Sequence, residues 1–91
     1  MSDADVPAMA RVLVLNDDET TMEFVVQALE GVFGKTREEA LKLVLEIHRN
    51  GSGECGVFPV EQASAIVALG AMLADRHGHP LRCIIEPSQR T

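Results

Sequence analysis
A chain of 91 residues, 46% of them apolar, supports one domain around one modest core, and with no Trp, no Tyr and three Phe that core is aliphatic. The net charge of −6, with eight Lys and Arg scattered between Arg11 and Arg90, offers no basic stripe for phosphates, so no nucleic-acid partner is expected. The apolar stretch from Ala63 to Ala74 is too short for a bilayer and no basic-then-apolar leader opens the chain, which leads us to expect a cytoplasmic protein without a membrane partner.

Met1 to Met9 is rich in Asp, Ala and Pro and is expected to be a flexible tail (residues 1–9). Val12-Leu13-Val14-Leu15 reads as a short buried strand that stops at Asn16. Thr20 with Glu23 three positions later has the spacing of a capping box, and Met22, Val25, Val26, Leu29, Val32 and Phe33 recur at helical spacing until Gly34. Asp18 is expected to serve the helix entry as a cap. Between Arg11 and Lys35 five acidic residues and no Lys or Arg occur, so this turn has a negative potential suited to a cation.

Thr36 with Glu39 repeats the capping signal, and Ala40, Leu41, Val44, Leu45, Ile47 and His48 mark a second helix ending at Asn50-Gly51. The short loop between these helices makes them packed neighbours whose facing residues can line one groove. Gly51-Ser52-Gly53 reads as a turn and Glu54 to Phe58 as a second strand. Pro59 suits the first turn of a third helix, which ends near His77-Gly78, and Leu81 to Glu86 reads as a third strand closed by Pro87. Cys55 and Cys83, with no secretory signal, are expected to be reduced strand residues. The expected fold is α+β: a small three-stranded antiparallel sheet with three helices on one face, in the order β-α-α-β-α-β. The domain spans 10–87 and a C-terminal tail 88–91.

Several separated motifs then carry a resemblance. Leu13-Val14-Leu15-Asn16-Asp17-Asp18, Thr20, Met22-Glu23-Phe24-Val25, Leu45-Glu46-Ile47-His48, Cys55-Gly56-Val57-Phe58 and Gly78-His79-Pro80-Leu81-Arg82-Cys83 resemble, in order and spacing, the ClpS family of N-degron adaptors. The resemblance implies a non-enzymatic adaptor that grips a protein's N-terminal residue and hands it to a Clp-type AAA+ unfoldase. Its implied partners are peptides beginning with Phe, Tyr, Trp or Leu, and the N-terminal domain of a ClpA- or ClpC-type unfoldase working with ClpP. A monomer without cofactors is expected.

A free α-amino group is a compact cation with three donors, best held by converging acceptors of different types. Asn16, Asp17 and His48 supply an amide oxygen, a carboxylate and an imidazole, and the resemblance implies that they hold this group. Met22 and Val25 lie three apart on the first helix, and Val44, Ile47 and His48 share a face of the second, so the helices can form an apolar cup beside a polar rim. By resemblance Thr20 and Leu81 complete that cup, Met22 gates it against β-branched residues, and Glu61 contacts the unfoldase. The chain departs from the family at Glu19, where an aromatic is common, at Thr21 for Pro, at Val44 for Met and at Ile66 for Lys, departures that suit a divergent second paralogue. The tail before the first strand is short for a family whose handover uses a longer extension.

Two other classes compete with this reading. One is an interaction domain that does not read N-termini. The other is a small metal-dependent enzyme built on Asp17, Asp18, Glu19 and His48, or on His77, His79, Cys55 and Cys83; neither set follows a metal-ligand spacing. No Gly-rich phosphate loop and no Ser or Cys in a nucleophile setting is found, so no enzymatic activity is expected.

Overall fold
The computed structural model describes residues 8 to 88, so of the tails expected over 1–9 and 88–91 residues 1–7 and 89–91 lie outside it. Three strands and three helices follow in the expected order: β1 (Met9–Leu15), α1 (Met22–Gly31), α2 (Arg37–Asn50), β2 (Ser52–Pro59), α3 (Val60–Arg76) and β3 (Arg82–Pro87). The strands form one antiparallel sheet in the order β2-β1-β3. The first strand is therefore central, which suits its continuous apolar run. Met9, expected in the tail, pairs with Pro59 and belongs to β1.

Alternation along β1 divides its side chains between the two faces of the sheet. Ala10, Val12 and Val14 are buried against the helices: Val14 joins the main cluster with Phe24, Leu29, Val44 and Ile47, while Ala10 and Val12 pack with Ala63 of α3. On the other face Arg11 bridges the two neighbouring strands, pairing with Glu86 of β3 and, at 3.3 Å, with Glu54 of β2. Among the described residues no helix is long and apolar enough to cross a membrane.

Each helix has an identifiable start and stop. The α2 capping box forms as expected: Thr36 Oγ1 accepts from the Glu39 N–H at 3.1 Å and Glu39 Oε1 accepts from the Thr36 N–H at 2.9 Å. Gly51 ends that helix with φ +89°, a conformation that favours glycine. At α1 two expectations are corrected. Its cap is Thr21, not Thr20 or Asp18: Thr21 Oγ1 accepts from the Phe24 N–H at 3.1 Å. The helix also stops at Gly31 rather than continuing to Gly34, because Val32 caps it and the chain turns back, with the Lys35 N–H bonded to the Leu29 carbonyl at 3.0 Å and Gly34 at φ +68°.

Two boundaries near β2 also shift. Ser52 and Gly53, expected in a turn, pair with Leu15 and Val14 and are strand residues. Pro59 caps α3 from outside instead of standing in its first turn, and the Val60 N–H is taken by the Ala8 carbonyl at 2.9 Å. Cys55 is buried and Cys83 partly buried, and both thiols are free, as read. Burial, with Cys83 nearby, pushes the Cys55 thiol up to about 12, and burial raises Cys83 as well, so neither is a ready nucleophile.

Candidate functional site
The acidic turn between β1 and α1 is organised by Asp17. Its Oδ1 accepts from the Glu19 N–H at 2.9 Å and the Thr20 N–H at 2.6 Å, and its Oδ2 accepts from the Thr20 hydroxyl at 2.8 Å. This is the local geometry by which Asp ties a turn to its own side chain. It leaves Thr21 free to cap α1. A carboxylate offers about four lone-pair sites. Two bonds on Oδ1 and one on Oδ2 leave an acceptor on Oδ2 for a ligand.

Partial desolvation pushes the Asp17 carboxyl upward, but the donors from Thr20 and Glu19, with a contribution from the charge on His79, outweigh it and hold the group below the ordinary 3.8. Asp17 is therefore an anion at neutral pH. Its neighbour Asn16 is tied to the end of α2, since the Asn16 N–H donates to the Gly51 carbonyl at 2.9 Å. That bond holds Asn16 beside the last turn of α2, where His48 stands.

These groups rim a cleft with about 310 Å³ of empty space including its open mouth. The cleft is lined by Leu15, Asn16, Asp17, Thr20, Met22, Val25, Val44, Ile47, His48 and Leu81. Nine of the ten residues singled out in the sequence meet there. The tenth, Glu61, is exposed in the first turn of α3. Val25, Val44, Ile47 and Leu81 are each at most 9% exposed and form the apolar walls, whereas Asn16, Met22 and His48 stand exposed at the rim.

Two further features build the cleft. Gly53 is buried under Ile47: a Cβ at Gly53 would lie 2.7 Å from Ile47 Cγ1, so only glycine allows β2 to approach the α2 residue that lines the wall. Phe24, buried on α1, packs its ring on His79 at 4.5 Å and on His77 at 5.4 Å between centroids. This contact anchors the segment that delivers Leu81 to the cleft. Leu15 lines the cleft without being an expected site residue; its signal in the sequence is its place at the end of β1, next to the polar rim. The two sets of metal-type side chains are not brought together, because no three His, Cys, Asp or Glu among the described residues are placed to share an ion.

An anionic and polar rim over an apolar floor suits a ligand with a cation at one end and a bulky apolar group beside it. Comparison with known proteins gives a consistent result. The family model for the ATP-dependent Clp protease adaptor protein ClpS matches residues 5–84. The ATP-dependent Clp protease adapter protein ClpS of Phenylobacterium zucineum is 52% identical over 80 residues, which cover 88% of this chain and 73% of that protein. The protein named ClpS 1 in Rhizobium meliloti is 50% identical over 80 residues, covering 88% and 68%. Among solved structures, Agrobacterium tumefaciens ClpS2 bound to L-phenylalaninamide aligns with a TM-score of 0.87 and 30% identity, covering 90% of this chain and 99% of that one.

Proposed function
The chain belongs to the ClpS family of Clp protease adaptors, which are not enzymes, and we propose that its cleft holds the free α-amino group and bulky apolar side chain of a cargo protein's first residue. The observation that carries this reading is the meeting of Asn16, Asp17 and His48 at the rim of one apolar cleft. An ammonium group there meets an amide, an ionised carboxylate with a spare acceptor and an imidazole. The side chain next to it faces Val25, Val44, Ile47 and Leu81. L-phenylalaninamide, the ligand of the Agrobacterium ClpS2 structure, has this combination of amine and apolar side chain.

Magnitudes make the reading workable. Burying a Leu or Phe side chain contributes about 1.5 to 3 kcal/mol, and a hydrogen bond to a charged group about as much. After the costs of ordering and lost freedom, affinity on the order of micromolar results. The β-α-α-β-α-β domain then binds cargo, and Glu61 on α3 faces a ClpA- or ClpC-type unfoldase that works with ClpP. Met22 at the mouth disfavours β-branched first residues. Val44, stiff and short, suits a flat ring better than a leucine.

A titration of short peptides differing only in their first residue tests the reading. Phe, Tyr and Trp peptides are expected to bind best, with Leu weaker by about 1 kcal/mol and Ile poor. Val44→Met should restore Leu. Acetylation of the peptide N-terminus should abolish binding, and acetylated peptide binding as well as free peptide would refute the N-terminal reading.

A further inference from the structure
A second concavity adjoins the cleft. It lies between α1 and α2 and is lined by Met22, Glu23, Val26, Gln27, Arg37, Leu41 and Val44, with about 600 Å³ of empty space including its mouth. Met22 and Val44 line both spaces, so the groove and the cleft are separated by one side-chain wall. Val26 and Val44 form a buried apolar floor. Two large apolar side chains on its sides stay open to solvent, Met22 at 53% and Leu41 at 47% exposure. Beside that buried floor they make a contiguous apolar surface, the kind that marks a ligand groove.

We propose that this groove is a second subsite, which takes an apolar side chain at the third position of the same peptide whose first residue fills the cleft. The inference rests on the N-terminal reading above. Along α2 the two sites follow one another: His48 at the α-amino rim, Ile47 and Val44 in the cleft, Val44 again and Leu41 in the groove. Leu41 and His48 are seven residues apart, about 10 Å along the helix axis. That is the reach of three residues of extended peptide. In an extended chain the first and third side chains also project to the same side, roughly 7 Å apart, while the second points away. This spacing straddles a wall one side chain thick. Among the lining residues the exposed Gln27 has an amide with both a donor and an acceptor to offer the peptide backbone.

The test uses peptides beginning Phe-Ala-Leu, Phe-Leu-Ala, Phe-Ala-Asp and Phe-Ala-Ala, each free and acetylated, titrated against the wild-type chain and Leu41→Ala. Leu41 is exposed and does not line the cleft, so this variant should fold and bind Phe-Ala-Ala as the wild type does. Leu at the third position is expected to tighten binding roughly three- to tenfold over Ala, Asp should give no gain, and Leu41→Ala should cancel the gain. Equal affinities for Leu and Ala at the third position, a gain from the second position instead, or a gain that survives Leu41→Ala would each overturn the subsite. Loss of all binding on acetylation, together with any of those results, would refute the subsite and leave the N-terminal reading standing. Binding indifferent to acetylation would refute both.

Discussion

Asp17 carries two duties at once. It ties the turn through the Glu19 and Thr20 N–H groups and the Thr20 hydroxyl, and it presents negative charge to the cleft. Asp17→Asn separates these duties, because an amide oxygen still accepts from the turn but carries no charge. Affinity for a Phe-initiated peptide is expected to fall about tenfold, the loss of a hydrogen bond between charged groups, with the cleft intact by circular dichroism. Unchanged affinity would remove Asp17 from the α-amino site. The carboxyl's value is depressed below 3.8 in the folded state. Its stabilising contribution is therefore complete above the unfolded value and is lost as pH falls through the lower folded one. The Tm difference between wild type and Asp17→Asn should shrink on going from about pH 6 to about pH 3. A difference constant across that range would mean that the charge on Asp17 does not support the fold.

At the scale of elements, the cleft depends on how closely β2 lies under α2. Gly53→Ala places a Cβ 2.7 Å from Ile47 Cγ1, so either the strand or the α2 wall must move. A loss of about 1 to 3 kcal/mol in stability is expected from such overpacking, together with weaker peptide binding because Ile47 lines the cleft. Thermal melts and a Phe-peptide titration read the two effects, and a variant equal to wild type in both would show that the contact yields freely. This dependence was not legible in the sequence, where Gly51-Ser52-Gly53 reads as a turn: a glycine needed for close approach and a glycine needed for a turn look alike until the partner strand is known. The α1 cap differs from the expected one for a related reason. Thr20 and Glu23 have the capping-box spacing, but the Thr20 hydroxyl is engaged by Asp17, so Thr21 caps instead. Legibility was best where local chemistry decides alone, as at Thr36 with Glu39 and at Gly51, where capping partners lie within the same turn. The role of Leu15 is not legible in the sequence, because strand alternation does not reveal which strand end opens into a cleft.

At the scale of the whole molecule, the cleft proposed for cargo and the helix proposed for docking lie on different parts of the fold. The cleft draws its lining from the end of β1, the following turn, α1, α2 and the residue before β3, while none of its lining residues belongs to α3. Glu61 stands exposed in the first turn of α3, and Ile66 lies partly buried further along the same helix. In the proposed docking role, Glu61 is the charge that steers the partner on this first turn of the helix. Glu61→Lys reverses it and also opposes the helix dipole, for which a stability cost of about 0.3 to 1 kcal/mol is expected. Binding of the unfoldase N-terminal domain should weaken and its salt dependence change, as expected when a charge at an interface rim is altered. Affinity for a Phe-initiated peptide should stay at the wild-type value, because Glu61 is not among the residues that line the cleft. Parallel titrations of the variant with peptide and with the unfoldase domain, at two salt concentrations, separate the two surfaces. Equal losses for both ligands would mean that α3 and the cleft act as one unit, and the assignment of Glu61 to docking alone would fail.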